Sequence, residues 1–178
     1  MTHRVLILSF PFVLAAISAT PPAPAQMPPP IMPISPEVNL LAPNQGGQAI
    51  IVPHEGWLRP LTEKDEGPWV LVKVGEEAVY AFKDEKPATF SSFALLIPGT
   101  RDDNIKQFEV LAADESPTGE FRSLGKFTTI NARIVKSPYQ VFSFPQTTAR
   151  YIKIRILSSY GSRDTILPPF RLMGTISK

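Results

Sequence analysis

An all-β sandwich or barrel is the fold class this sequence predicts, and three observations carry it. First, residues 149–157 alternate with a period of two: Ile152, Ile154 and Ile156 face one way, Tyr151, Lys153 and Arg155 the other. That is the pattern of a half-buried strand rich in β-branched side chains. A helix would scatter the three isoleucines around its axis. Second, short apolar runs recur along the chain between clusters of Gly, Pro, Asn and Asp, which are turn signals. Third, no run shows a convincing amphipathic helical period. Such a set of elements reads as an antiparallel sandwich or barrel.

The elements follow in order. Residues 38–52 open the folded part, with a turn at 44–47 and a short apolar strand over 49–52 that stops at Pro53. Residues 54–60 form a loop that carries His54, Trp57 and Arg59. A charged, turn-rich stretch covers 62–68. Strands are expected over 69–74 and 78–82, joined by a turn at 75–77, and a charged turn at 83–86 leads to a longer strand at 89–97. Residues 98–104 are a polar loop containing Arg101, Asp102, Asp103 and Asn104. The run 105–112 alternates again, with Phe108, Val110 and Ala112 on one side. After a turn cluster at 114–119, two short strand pieces flank Gly125 within 121–130. The strand at 134–144 is broken by Pro138, which places the break at an edge or a bulge. The isoleucine strand comes next, then a polar loop at 158–165 with Tyr160, Gly161 and Arg163, and a closing strand at 170–176.

The chain has 178 residues, of which 43% are apolar and 19% charged. About 140 residues remain once the N-terminal segments are set aside, which is enough for one domain with its own core. A net charge of +2 argues against nucleic acid as the main partner, because phosphate contacts need a strongly basic face. There is no cysteine, so disulfides and thiolate chemistry are absent. Residues 5–19 are apolar behind a positive start at His3 and Arg4, too short for a comfortable membrane span. They read as a signal peptide over 1–25, cleaved before Gln26 at an A-x-A site, with a cut after Ala19 as the second choice and an uncleaved anchor as the alternative. Residues 26–37 are a proline-rich linker; prolines cannot supply the hydrogen bonds of a helix or sheet, so this stretch is an extended tether or a plain leader. The folded domain is expected over 38–178, secreted or periplasmic.

Residues 105–114 resemble the "ikdFeV..S.D" strand of discoidin domains, also called coagulation factor 5/8 type C domains. Residues 149–154 resemble their "aRYvki" strand, and residues 170–174 their closing strand. The resemblance covers 89–178 in order and spacing. It implies an eight-stranded antiparallel jelly-roll sandwich of the galactose-binding-like type, with ligand loops at one end. It also implies a binding module, similar to family 32 carbohydrate-binding modules, and not an enzyme. In such modules an arginine and an asparagine often stand in the loop before the "ikdF" strand, the place held here by Arg101 and Asn104. A guanidinium and a carboxamide suit vicinal sugar hydroxyls. Trp57 and Tyr160 are the candidate rings to stack on a sugar face, and Arg163 marks a second candidate loop. His54, beside Glu55, completes the candidate set.

Each candidate has a structural alternative. The 101–104 loop also suits a solvated turn with Asp or Asn capping the backbone. Trp57 also suits the core or a lid. One histidine with one carboxylate falls short of the three or four ligands a metal takes. No cofactor is expected. The family's structural calcium lies near a "DG...T.W" loop with no counterpart in the first part of this chain, and Pro169 stands where the closing strand begins with a glutamate. No G-x-S-x-G, Walker loop or H-E-x-x-H occurs, so a hydrolase using His54 ranks last. The expected partner is a glycan, with a cell-surface protein as the alternative. Membrane contact is expected only through an uncleaved signal segment.

Overall fold

The computed structural model describes residues 37–59, 61, 69–135 and 137–176. The signal peptide, the tether as far as residue 36 and the charged turn at 62–68 lie outside them. Eleven strands are present among the described residues: β1 (Val38–Asn39), β2 (Gln48–Ile51), β3 (Val70–Lys73), β4 (Glu77–Ala81), β5 (Ala88–Leu96), β6 (Ile105–Ala113), β7 (Arg122–Thr128), β8 (Tyr139–Ala149), β9 (Tyr151–Ser159), β10 (Asp164–Leu167) and β11 (Phe170–Ile176). Short 3-10 turns occupy Pro43–Gln45, Glu55–Leu58 and Lys83–Glu85.

Two antiparallel sheets make the sandwich. One runs β1-β11-β5-β8, the other β2-β4-β9-β6-β7. The β3–β10 pair forms a separate ribbon. The eight strands of the expected jelly roll are β2, β4 to β9 and β11; β1 and the ribbon are additions to it.

The isoleucine strand β9 lies at the centre of the five-stranded sheet, between β4 and β6. Ile152, Ile154 and Ile156 are all buried against the facing sheet. Burying each is worth roughly 1.5–3 kcal/mol. The core between the sheets is largely aromatic. Phe93 stacks at 5.4 Å from both Phe108 and Phe170, and Phe142 meets Phe108 edge-on at 5.0 Å. These separations fall in the favourable range for ring pairs.

The outward face of β9 carries charge instead. Lys153 Nζ donates to Glu77 Oε1 at 2.8 Å, and Arg155 joins Glu77 (2.6 Å) to Glu109 (3.2 Å). Glu109 is almost fully buried and also accepts from Ser123 Oγ at 2.8 Å, so both its oxygens are hydrogen-bonded and Arg155 balances its charge. Burial by itself would raise the Glu77 carboxyl; the hydrogen bonds and charges of Lys153 and Arg155 outweigh it and hold the carboxyl below its ordinary value. Tyr151 departs from the polar face. It is buried in a small outer cluster with Val79, Ala81 and Ala113.

Three local expectations need correction. Gly125 does not divide two strand pieces. It sits at φ 156° opposite Val110 in one continuous β7, where the register shifts by a bulge. The polar loop after β9 is shorter than 158–165, because Asp164–Leu167 pair with β3 as β10. Pro138 precedes β8 and does not interrupt it, and the proline inside β8 is Pro145. It is tolerated because β8 is an edge strand, paired among the described residues only with β5.

Candidate functional site

One end of the sandwich gathers three loops: 97–104 between β5 and β6, 129–138 between β7 and β8, and 160–163 between β9 and β10. Asn104 fastens the first two. It is buried, and its Nδ2 donates to Gly99 O at 2.7 Å and to Asn131 Oδ1 at 2.8 Å. The same Asn131 Oδ1 accepts the backbone N–H of Arg101 at 3.0 Å, and Thr100 Oγ1 donates to Asn131 O at 2.9 Å. The third loop docks through its backbone: Tyr160 N–H donates to Asn104 O (3.2 Å) and Gly161 N–H to Asp102 O (2.9 Å). Asp103 O accepts from both the Ile166 N–H and the Thr165 hydroxyl, each at 2.7 Å, which ties the loop to β10.

The structure thus brings Arg101, Asn104, Tyr160 and Arg163 to one end, and it gives most of them internal work. Asn104 is not available to a ligand, since both donors of its amide are used inside the protein. Arg101 is exposed, but its guanidinium grips Asp103 through two bonds, Nε to Oδ1 at 2.7 Å and Nη2 to Oδ2 at 2.9 Å. That hydrogen-bonded pairing pushes the guanidinium up and holds the Asp103 carboxyl down. Tyr160 is half-buried. Its hydroxyl donates to Thr129 O, and the Lys106 ammonium lies 5.8 Å from its ring centroid, so it forms wall and not an open platform.

Trp57 requires a correction. It is 0% exposed and cannot stack on a ligand. The reason is a capped 3-10 turn at Glu55–Leu58, where His54 Nδ1 accepts the Gly56 N–H at 3.1 Å. The turn drives the indole into the core. There Nε1 donates to Glu76 Oε2 at 3.0 Å and the Trp57 carbonyl accepts from Tyr80 at 3.1 Å. His54 lies above it, and its Nε2 donates to the same Glu76 Oε2 at 3.2 Å, Nδ1 being the acceptor. His54 and Glu76 line a recess of about 400 Å³ with Pro53, Leu71, Lys73 and Asp164.

The larger opening at this end is a groove of about 790 Å³. Its walls are Lys73 and Val74 from the end of β3, and Gly161, Ser162, Arg163 and Asp164; Ser158 and Ser159 close it from β9. Of the six candidates read from the sequence, only Arg163 lines it. Lys73 and Asp164 stand directly opposite each other in the β3–β10 register and border both openings. Nothing local in the sequence marks those two, because only the ribbon pairing brings them together. The groove offers two cations, one carboxylate and serine hydroxyls, which is a set for holding a polyhydroxylated or charged molecule. Among the described residues, no three His, Asp or Glu side chains converge as a metal ion would require.

Solved structures with this fold include the C-terminal domain of a chitobiase from Bacteroides fragilis (TM-score 0.61, 14% identity, 80% of this chain and 99% of that one). The family 32 module of NanJ from Clostridium perfringens, solved in complex with galactose, superposes with TM-score 0.58 at 11% identity, over 78% of this chain and 98% of that one. At such identities the likeness shows the fold. In sequence, SUN domain-containing protein 4 of Arabidopsis thaliana is 32% identical over 98 residues, which are 54% of this chain but only 14% of that protein. The family model that matches is Sad1 / UNC-like C-terminal, over residues 84–176. The family shown is therefore a different one from discoidin. The three stretches that suggested discoidin lie in β6, β9 and β11, the framework of a jelly roll common to both, and they report the fold before they report the family. With more than half of its length matched, the chain belongs to the Sad1/UNC-like C-terminal family.

Proposed function

We propose that this domain is a non-catalytic binding module that takes carbohydrate at the loop end of the sandwich. The observation that supports it most is the groove of about 790 Å³, where Lys73 and Arg163 supply donors, Asp164 an acceptor and serines hydroxyls. Polar groups of both kinds around a shallow groove suit a ligand that carries many hydroxyls. The same end of the fold is polar, and the jelly-roll neighbours include modules solved with galactose and with GalNAc-β-1,3-galactose. The test is a glycan array followed by calorimetry. Arg163→Ala is expected to weaken every array hit by roughly tenfold, the scale of one charge-assisted hydrogen bond. Arg101→Ala, whose guanidinium is held by Asp103, is expected to act less. Equal binding by parent and Arg163→Ala would remove the groove from the reading.

In the same reading the apolar stretch 5–19 exports the module, and mass spectrometry of the mature protein would find Gln26 or Thr20 at its start.

A second reading is a protein-interaction module, and a specific surface favours it. The outer edge of β8 has no partner strand among the described residues, and Val141 beside it is 64% exposed. Gln140 ties the preceding loop to this strand by bonds to Ile130 and Ala132, and Ile130 and Val135 are exposed there too. Exposed apolar side chains beside an open strand edge suit a protein partner. Pull-down from the native envelope with Val141→Lys as the control separates this reading from the first: loss of a captured protein supports it, and identical capture refutes it.

A further inference from the structure

We propose that the groove selects an anionic saccharide, with Lys73 and Arg163 sharing its acid group. The inference rests on the carbohydrate reading above and names the ligand class. Its basis is uncompensated charge. Elsewhere on the domain, Arg101, Arg122, Lys153 and Arg155 are each held by a carboxylate at 2.6–2.8 Å, and Lys106, Lys126, Arg133 and Arg150 form no ion pair among the described residues; what marks the groove is that two unpaired cations line it together. Lys73 and Arg163 line the groove and form no ion pair among the described residues. Lys73 even stands across the ribbon from Asp164 without closing a bridge to it. The two cations come from different elements, the end of β3 and the loop before β10. They are held in relation to each other by the Val74 N–H bond to Arg163 O at 3.4 Å and by the ribbon register.

Two cations lining one groove suit a carboxylate or sulfate; a neutral sugar would leave the groove with a net positive charge. The rest of the lining argues for a sugar and against a bare inorganic ion. The volume is far larger than one anion needs, and Ser162 and Asp164 offer groups that match hydroxyls. Asp164 also reduces the groove to a single net positive charge, and Asp102 lies beside Gly161 at its edge. A polyanion such as nucleic acid would be repelled by these carboxylates, whereas one acid group on an otherwise neutral ring fits between the cations. Ser159 Oγ accepts the Ser162 N–H at 3.0 Å, which closes the loop that presents Arg163.

The test is calorimetry on the full chain with matched probes: digalacturonate against its dimethyl ester, and sialyllactose against lactose. At least one acid is expected to bind roughly tenfold tighter than its neutral counterpart, with the advantage shrinking as salt rises. Lys73→Ala and Arg163→Ala are each expected to erase that advantage, the acid losing more affinity than its neutral counterpart. Lys126→Ala, on the exposed face of β7, is the charge control and should keep it. Melting curves establish that each variant is folded. If acid and neutral probes bind alike, the anionic selection is wrong and the carbohydrate reading stands. If no saccharide binds, both fall. If the acid preference survives both alanine variants, the anion sits elsewhere and the assignment of the groove is overturned.

Discussion

Replacing Asn104 tests whether the loop end is built as described. In Asn104→Ala two hydrogen bonds disappear. Asn131 Oδ1 keeps its bond from the Arg101 N–H, so its loss is that of one ordinary bond, about 1 kcal/mol. Gly99 O loses the Asn104 donor at a part-buried position, which costs about 1–3 kcal/mol. The sum is about 2–4 kcal/mol, a large share of the roughly 5–15 kcal/mol that a domain commands. At about 2–4 °C per kcal/mol, the melting temperature should fall by roughly 5–15 °C. Urea unfolding followed by the fluorescence of Trp57, buried in the core, reads the change as a lower midpoint with an unchanged slope. Asn104→Asp sharpens the test. It keeps the shape and sets a carboxylate against two acceptors, so at neutral pH it should destabilise at least as much. Because that contact favours the protonated acid in the fold, the defect should shrink as pH falls. A change below about 0.5 kcal/mol in both variants would mean that Asn104 does not hold these loops together.

Three further outcomes follow from the geometry. Trp57→Phe removes the Nε1 bond to the Glu76 carboxylate and should cost about 2–3 kcal/mol while leaving ligand affinity unchanged; weaker binding with an unchanged melt would restore the indole to the site. For Glu77, whose carboxyl is held below its ordinary value of 4.5, the stabilisation is complete above that pH and fades as pH falls through the lower folded value. Glu77→Gln should therefore melt below the parent at pH 7, by about 1 kcal/mol after solvent screening of this part-exposed side chain, and the gap should narrow as pH falls below 4.5; a gap that stays constant on acidification would refute the linkage. Asp84 adopts φ 54°, ψ 25°, a left-handed conformation that favours glycine, so Asp84→Gly should raise the melting temperature by a few degrees or less; a clear drop would show that the aspartate side chain is needed there.

Much of the framework was legible in the sequence because a strand writes its own signature. The isoleucines of β9 are spaced by two, and a shift of one residue would turn all three to solvent, so sequence and position are locked. The same holds for Phe108, Val110 and Ala112 in β6. β10 carries no such signature because it has only four residues, begins with an aspartate and runs into Pro168 and Pro169; it is a strand only by virtue of pairing with β3. The site was harder still. The polar residues at 98–104 mark a loop by themselves, yet whether Asn104 faces a ligand or a neighbour depends on Asn131, twenty-seven residues on. Trp57 sits in a polar-looking loop, and its burial is decided by Glu76, nineteen residues away. Lys73 and Asp164 become neighbours through a register that neither flanking sequence announces.

The position of β1 has a geometric consequence. It lies antiparallel on β11, with Val38 opposite Gly174 and the Leu40 N–H bonded to Leu172 O. The strand β11 departs from the groove end beside Leu95 and finishes beside Ala88, so Glu37 and Ile176 both emerge at the opposite pole. An attachment at either extremity therefore starts far from the groove and leaves its mouth uncovered. Fusion of a reporter at that pole should leave ligand capture at the groove undisturbed.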